Sequence, residues 1–426
     1  ALLLQRADQA ADFADQPQHG GVDFRVQLIG RRRMALEAGH REFLFARHRH
    51  RSHSRSRPLL TAATAGFIVG CRFALSARRR SIHIAVPLRS RSTSLSPTVV
   101  YDTYWRFAAE RLAIYYRRLE GGQAPWTTDP ILRTYRFTNA YRAADRVSQY
   151  LISDVQYHPE RSQEPREVFF RTLLFKLFNK IDTWESLESA HGPLAWSSID
   201  LDALDCTLSR LMSRGRKIYS PAYIMPAPPF GAERKHSNHL KLVAKMMNDR
   251  LPDRLRQAPD LQSVYERIRA YPGLGPFLAF QYAIDLNYST LLDFSEEDFV
   301  VAGPGALDGI SKCFTSTGGR SPEAVIRWVT ARQSEEFAAR GLDFPGLYGR
   351  ALQPIDCQNL FCEISKYARV AHPEFAGIAN RQRIKQSYRA EDRALPRPMF
   401  PPRWELTIPE PAPATRPGPG LQAALL

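Results

Sequence analysis

The chain has 426 residues, of which 44% are hydrophobic and 24% are charged, a balance that supports one large core or two smaller ones. This composition excludes a fully disordered or fibrous chain. No apolar run reaches the roughly 20 residues that a membrane helix needs, so a multispan membrane protein is also excluded. Five cysteines in so long a chain do not form a disulfide framework, and reduced thiols in an intracellular protein are expected.

Residues 1–97 are rich in arginine, serine and histidine, and are predicted to be disordered. The first 100 residues hold 17 arginines and six acids, a charge of +11, so the rest contributes only +5 of the total +16. This composition is typical of an organellar transit peptide or a flexible basic arm, with an over-extended gene model as the alternative. At the other end, prolines in residues 396–426 predict an extended, disordered tail.

Between residues 98 and 395 the apolar spacing is helical almost throughout, which predicts one all-α domain. Gly121 and Gly122 are expected to end the first helix. Only the stretch from Ala222 to Pro226 has the alternation of a strand. Helices are predicted over 102–119, 139–155, from Pro165 onward, 199–213, 235–249, 259–270, 276–287, 321–340 and 357–370.

A Tyr-Pro-Gly-Leu-Gly segment at 271–275 separates two predicted helices. Gly273 and Gly275 permit a turn with positive φ that approaches another molecule closely, and Pro276 suits the first position of the next helix. The free N–H groups at that helix start form a seat for phosphate. The pattern is typical of a helix-hairpin-helix, which binds the DNA backbone without reading sequence. A tight helix connection with no ligand is the alternative.

Acidic and amide side chains follow this hairpin. Gln281 and Asp285 lie four residues apart and therefore share a helix face, with Asn287 just beyond. Asp298 follows Gly275 by 23 residues, a distance comparable to that of the essential Asp in helix-hairpin-helix DNA glycosylases. The acidic first turn of an ordinary helix explains Asp298 equally well.

Another polar face is predicted within the helix at 139–155. Arg142, Asp145, Arg146 and Gln149 recur there at helical spacing. Guanidinium groups match phosphate oxygens, which suggests phosphate or base contacts. A solvated face with local ion pairs is the alternative, and spacing alone favours it.

A polar stripe is also predicted near residue 360. Asp356 is expected to cap a helix on which Asn359, Glu363 and Lys366 fall on one face. An amide, an acid and an amine in a row suit the recognition of a base edge and the transfer of a proton. A buried structural network explains the same stripe.

Several cofactor motifs are missing from the sequence. His236 and His239 lack the additional ligands that a metal requires, so no metal site is expected. There is no GxxxxGK[ST] loop, no GxGxxG after a strand and no GxSxG. These absences disfavour a self-contained kinase, a dehydrogenase and a serine hydrolase, and no cofactor is expected.

Nine segments resemble, in the same order, the helical domain of phage 5-hydroxymethyldeoxyuridine DNA kinases and the related alpha-glutamyl/putrescinyl thymine pyrophosphorylases. They are 105–111, 130–132, 137–142, 145–151, 235–240, 272–279, 285–289, 303–306 and 356–363, and the likeness covers 98–404. The resemblance implies a glycosylase-like all-α fold that acts in DNA base hypermodification. In such pathways hydroxymethyluracil in DNA is phosphorylated and pyrophosphorylated, and an amine then displaces the pyrophosphate. Implied partners are DNA and a separate kinase or thymine hydroxylase.

The resemblance also suggests roles for the polar residues. Asp285 or Asp298 is the predicted general base toward the amine, and Lys312 or Lys366 stabilises the leaving phosphate. Glu363 is placed with the catalytic residues and, with Asn359, would read the uracil edge. The phosphate-binding set is Gly273, Gly275, Arg142, Arg146 and Gln149, and the base-recognition set is Asn287, Asp356 and Asn359.

Two functions from other classes stay open. One is a DNA-binding module without catalytic activity that recognises modified thymine. The other is a helix-hairpin-helix DNA glycosylase, in which Asp298 would help to break the N-glycosidic bond. The expected location is intracellular, in the nucleus of a eukaryote or the cytoplasm of a bacterium, and no membrane partner is expected.

Overall fold

The computed structural model describes residues 94–389 and 395–409, and the predictions for residues 1–93 and 410–426 lie outside these ranges. Within them the chain forms 14 α-helices and one antiparallel sheet of two short strands. The prediction of an all-α fold is therefore confirmed.

The elements follow one another along the chain with few long gaps. They are β1 Ser96–Pro97, α1 Val99–Leu119, α2 Pro130–Thr134, α3 Arg146–Tyr150, α4 Pro165–Phe178, α5 Ile181–His191, α6 Leu201–Ser213, α7 Lys235–Asn248, α8 Leu251–Arg256, α9 Leu261–Arg269, α10 Pro276–Asn287, α11 Pro304–Cys313, β2 Phe314–Ser316, α12 Pro322–Ala331, α13 Gln333–Ala339 and α14 Pro354–Ala371.

Local sequence explains most of the helix ends. The Thr98 hydroxyl accepts a hydrogen bond from the Val100 N–H and so caps α1. Gly121 has a φ of +80° just beyond α1, where the sequence predicts a stop. Proline occupies the first turn of seven helices, where the backbone N–H groups have no acceptor within the helix, so proline loses no hydrogen bond. These helices are α2, α4, α8, α10, α11, α12 and α14.

Two helices form the centre of the core. In α4 every residue from Glu167 to Phe178 is buried, and in α10 every residue from Leu278 to Asn287 is buried. A helix that is buried on all sides cannot leave its polar residues in water, so those residues must find partners inside the protein.

The backbones of helices α11 and α14 approach each other so closely at Gly309 that no residue with a side chain fits at that position. A Cβ atom added at Gly309 in α11 would overlap the backbone carbonyl of Phe361 in α14. The Phe361 ring packs on Tyr104 of α1, with ring centroids 4.7 Å apart. These contacts join the start and the end of the domain.

The helix predicted over 139–155 is continuous only from residue 146 onward, and only part of it is α-helical. Residues Arg142–Ala144 form a 3₁₀ turn, α3 is short, and Leu151–Gln156 form a π-helical turn. One cause is tertiary, because the buried Asp356 carboxylate takes the Arg142 N–H, which a helix would direct to a preceding carbonyl. The Asn139 N–H donates to Asp145, and the Arg142 N–H donates to Asp356.

Three other local predictions are corrected. The helix predicted over 321–340 is two helices that meet at Arg332. The stretch from Ala222 to Pro226 is irregular, because its backbone pairs with no other strand in the described chain. Asp356 is not the cap of α14: Gln353 is the cap, and Asp356 completes a capping box from the third helical position.

The predicted hairpin consists of α9, a turn over 270–275 and α10. Pro276 is the first residue of α10, as predicted, and Gly273 has a φ of +83°. The expectation of positive φ is wrong for Gly275, which has a φ of −69° and is the N-cap of α10. Gly275 is exposed, and a Cβ atom there would meet nothing within 4 Å.

Some described residues outside the range 98–395 also contact the helical domain. The pairing of β1 with β2 includes residues before 98. Beyond residue 396, Phe400 is 5% exposed, and the Trp404 ring packs edge-on against the buried Tyr288 ring, with centroids 5.5 Å apart. Residues 395–409 are therefore attached to the core through aromatic packing, which a proline-rich composition does not reveal.

Candidate functional site

A buried charge network lies between α4, α10 and the 3₁₀ turn at Arg142. The Asp285 carboxylate on α10 contacts Arg142 Nη2 at 2.6 Å through one oxygen and Lys176 Nζ at 2.8 Å through the other. The side chains of these three residues are 1–5% exposed. Burial alone would lower the pKa of Arg142, but the Asp285 charge more than offsets it and raises this pKa well above the usual value. The Arg142 guanidinium is therefore held in its charged form beside Asp285.

Gln281, one turn before Asp285 on α10, extends this network to two buried N–H donors that have no hydrogen-bond partner within the described chain. Its Oε1 accepts from Arg142 Nε at 3.0 Å and from the Tyr223 hydroxyl at 3.2 Å. Gln281 Nε2 and Arg142 Nη1 are both buried, and neither has a hydrogen-bond partner within the described chain. An unpaired buried donor costs about 1–3 kcal/mol, which an acceptor on a bound molecule would recover.

Two stacked aromatic rings adjoin these unpaired donors. Tyr223 and Phe277 are half-buried, with ring centroids 6.0 Å apart and planes inclined by 29°. Phe277 lies one turn before Gln281 on α10, and Lys176 Nζ lies 4.3 Å from the centre of the Tyr223 ring. Rings in this position suit the stacking of a planar base.

A pair of carboxylates, Asp145 and Glu363, lies next to this network. The adjacent N–H groups of Thr138 and Asn139 each hold one of them, at 3.0 Å to Glu363 and at 2.8 Å to Asp145. Burial raises the pKa of Asp145 to about 6, and the Glu363 charge adds to this effect. Lys366 contacts Glu363 at 2.7 Å. Asp145 is thus a carboxylate whose pKa suits proton transfer near neutral pH.

Two further buried acids surround Arg142. Burial raises the pKa of Asp356 to about 6, although its carboxylate accepts hydrogen bonds from the backbone N–H groups of Arg142 and Gln353. Burial also raises the pKa of Glu296 to about 7, against the attraction of Arg350. Acids with raised pKa values in one region are typical of functional sites, although structural networks produce the same pattern.

The segment that carries Tyr223 is held in place by His239 of α7. His239 Nε2 lies 2.9 Å from the Pro226 carbonyl, and Nδ1 lies 2.8 Å from the Tyr219 hydroxyl. Because a carbonyl only accepts, Nε2 must carry the proton and Nδ1 must accept from Tyr219. Burial lowers the pKa of His239 to about 4, which keeps the ring neutral. Within the described residues no group of three or more His, Cys, Asp or Glu is arranged to hold a metal.

The structure brings together part of the predicted site. Arg142 contacts Asp285 through its side chain and Asp356 through its backbone, and Glu363 contacts Lys366. Half-buried Asn359 lies on α14 between Asp356 and Glu363, one turn from each.

Other predicted residues have structural partners elsewhere. Lys312 is enclosed and bonds to the Ser365 carbonyl at 3.0 Å. Asn287 makes two hydrogen bonds to the Phe294 backbone, and Gln149 makes two to the Met399 backbone. These contacts occupy the polar groups that were predicted to bind phosphate or a base.

The two remaining side chains lie on the surface. Asp298 is exposed, and it lies outside any helix, so the alternative of a first helical turn is wrong. Arg146 is exposed on α3. The described contacts of the charge network include neither residue.

Sequence reasoning missed Lys176, Tyr223, Glu296 and the role of Asp145. A signal existed for Lys176, because a lone lysine in the apolar run of α4 must either reach water or find a buried partner. Asp145 was noticed only as part of a polar face. Tyr223 gave no signal, since its neighbours in space come from α4 and α10.

The fold and the site define a class of protein. It is an all-helical domain in which a buried charge network adjoins a stacked aromatic pair on one side and lies near a carboxylate pair on the other. The family model described as "5-hmdU DNA kinase, helical domain" matches residues 98–377, about two thirds of the chain. The chain belongs to this family.

A curated relative supports the same assignment. The chain is 26% identical over 288 residues to a 5-hmdU DNA kinase of Bacillus phage SP10, which is 63% of this chain and 45% of that protein. The chain therefore matches less than half the length of this relative. No solved structure matches the chain. Among residues 94–389 and 395–409, no helix has both the length and the apolar character needed to cross a membrane.

Proposed function

We propose that this chain acts on 5-hydroxymethyluracil in DNA, or on the pyrophosphate ester of this base. In the proposed reaction an amine replaces the pyrophosphate. Family membership supports a role in the modification of DNA, since the matched relative is named as a kinase of 5-hmdU in DNA. The observation that carries the proposal is the pair of unpaired donors beside the aromatic stack.

The donors fit the chemistry of this base. A uracil ring presents carbonyl oxygens as acceptors, and Arg142 Nη1 and Gln281 Nε2 are two buried N–H groups without acceptors in the described chain. Tyr223 and Phe277 provide the planar surface for a base that has left the duplex stack. A site of this kind reads the base by stacking and by hydrogen bonds to its edge.

The transfer step needs a general base, a side chain that accepts the proton which the amine loses. The amine nitrogen forms a bond to the exocyclic methylene carbon, the bond from that carbon to oxygen breaks, and pyrophosphate leaves with the electron pair. The proton lost by the amine passes to the Asp145 carboxylate. With a pKa of about 6, Asp145 is mostly ionised at neutral pH but remains basic enough to accept this proton.

This assignment differs from the predicted general bases. Both oxygens of the Asp285 carboxylate are committed to buried cations, Arg142 and Lys176, so neither oxygen is directed at an incoming amine. Asp298 is exposed and in no described contact with the network. Asp145 has a raised pKa and a neighbouring carboxylate, Glu363, and its described hydrogen bond is to a backbone N–H rather than to a cation.

The test uses duplex DNA that contains hydroxymethyluracil or its pyrophosphate, incubated with the full chain and a panel of amines. Mass spectrometry of the digested nucleosides should show an amine-dependent gain in base mass. Asp145→Asn should reduce the rate about 100-fold or more, and the wild-type rate should rise with pH through about 6. Asp343→Asn is the matched control, because Asp343 is exposed on a distant segment of the sequence.

The outcomes separate the candidate functions. Full activity of Asp145→Asn would refute the assignment of the base. Abasic sites in place of a mass gain would support a glycosylase. DNA binding with neither product would support a non-catalytic module.

A further inference from the structure

A surface ribbon of basic residues runs into the carboxylate pair. The segment at 381–389 pairs with the end of α2 through an antiparallel bridge between Tyr135 and Ser387. The Arg136 N–H donates to the Gln386 carbonyl at 3.0 Å, and the Tyr388 N–H donates to the Thr134 carbonyl at 2.9 Å. We call residues 130–138 and 381–389 together the basic ribbon.

The charge of this ribbon is unlike that of the rest of the domain. Its two segments contain five arginines, one lysine and no acid, whereas the remainder of residues 101–426 contains 36 bases and 37 acids. The whole positive charge of residues 101–426 is therefore concentrated here. All six of these cations are exposed: Arg133, Arg136, Arg381, Arg383, Lys385 and Arg389.

The ribbon leads directly to the proposed site. After Arg136, the Phe137 ring contacts Lys366, whose Nζ lies 4.7 Å from the ring centre. The next residue, Thr138, donates its N–H to Glu363, and Asn139 then holds Asp145. Arg111 fixes this path by donating to the Thr138 carbonyl at 2.9 Å. A polymer lying along the ribbon would thus end at the carboxylate pair.

We infer that the basic ribbon binds the phosphates of the DNA strand whose base enters the site, an inference that rests on the proposed function. Phosphate is the partner that fits, because guanidinium groups pair with its oxygens in a fork and arginine outnumbers lysine five to one here. Phosphate contacts position a strand without reading its sequence. The ribbon sets which nucleotide reaches Asp145, while the site itself recognises the base.

The experiment compares two quadruple variants of the full chain. The first carries Arg133→Gln, Arg136→Gln, Arg383→Gln and Arg389→Gln. The matched control carries Arg210→Gln, Arg214→Gln, Arg216→Gln and Arg327→Gln, four exposed arginines outside the ribbon with the same loss of charge. Fluorescence anisotropy measures the affinity for a labelled DNA duplex from about 50 to 200 mM salt.

The ribbon variant should bind at least about tenfold more weakly, and its plot of log affinity against log salt should be shallower by about 3 to 4 units, about 0.9 for each lost phosphate contact. The control variant should stay within about threefold of wild type. At DNA concentrations below saturation, the ribbon variant should also transfer the amine more slowly than the control variant, because less DNA is held at the site.

Three results would overturn the inference. They are unchanged binding by the ribbon variant, an equal loss in the control variant, and displacement of DNA by poly-glutamate at equal charge, which would mean a site for acidic protein. In each case wild-type transfer activity would still support the proposed function. Failure of wild-type protein to bind any DNA would instead refute the proposed function itself.

Discussion

Replacement of Asp285 by alanine tests whether this carboxylate holds the fold together or performs chemistry. Asp285 is 0% exposed and neutralises Arg142 and Lys176 at 2.6 and 2.8 Å. Asp285→Ala would leave two buried cations facing each other without a counter-charge. Loss of one partner of a buried pair costs about 3–5 kcal/mol, a large share of the stability of a typical domain.

The assay is equilibrium unfolding in urea, followed by circular dichroism. Asp298→Ala is the matched control and should stay within about 0.5 kcal/mol of wild type, because Asp298 is exposed. A double variant, Lys176→Met with Asp285→Ala, leaves only one cation uncompensated and should recover about 1 kcal/mol or more relative to Asp285→Ala alone. If Asp285→Ala kept wild-type stability but lost amine transfer, the network would not be structural and Asp285 would be the general base after all.

Two further predictions concern the interior. Burial raises the pKa of Glu296 from 4.5 to about 7, so the charged form weakens the fold, and stability present below pH 4.5 is lost as pH rises through 7. Glu296→Gln removes this titration, so its free energy of unfolding relative to wild type should rise by about 3 kcal/mol between pH 4 and 8; a pH-independent difference would contradict the reasoning. Gly309→Ala should lower the melting temperature, because its Cβ would overlap the Phe361 carbonyl and overpacking costs about 1–3 kcal/mol or more. Gly215→Ala is a poor control because of its positive φ, whereas Gly275→Ala has open space and an ordinary φ and should change stability little. Equal melting temperatures for the Gly309 and Gly275 variants would refute the close contact of α11 with α14.

The predicted and observed elements agree best where local signals dominate. The helix from Pro165 and the helix over 276–287 both begin at proline. Each is so rich in apolar residues that its burial can be predicted from its own sequence. The predicted hairpin was located for the same reason, since Gly273 and Pro276 impose their conformations on their own backbone.

Disagreement appears where a distant group competes for the backbone. Helical spacing over 139–155 is real, but Asp356, more than 200 positions away, accepts the Arg142 N–H and changes the local conformation. The same competition brings Asp145 beside Glu363. No local pattern contains that information.

The amino-acid sequence alone was sufficient for the helical class, the hairpin, the candidate polar residues and the likeness to a family of DNA-modifying proteins, because these depend on short-range periodicity and on ordered motifs. Tertiary structure alone showed which polar residues meet. Asp285 is neutralised inside the core, whereas Asp145 lies beside a second carboxylate and has a raised pKa. The physical reason is that a side chain's charge state depends on burial and on neighbours within a few ångströms, and those neighbours come from helices far apart in the chain.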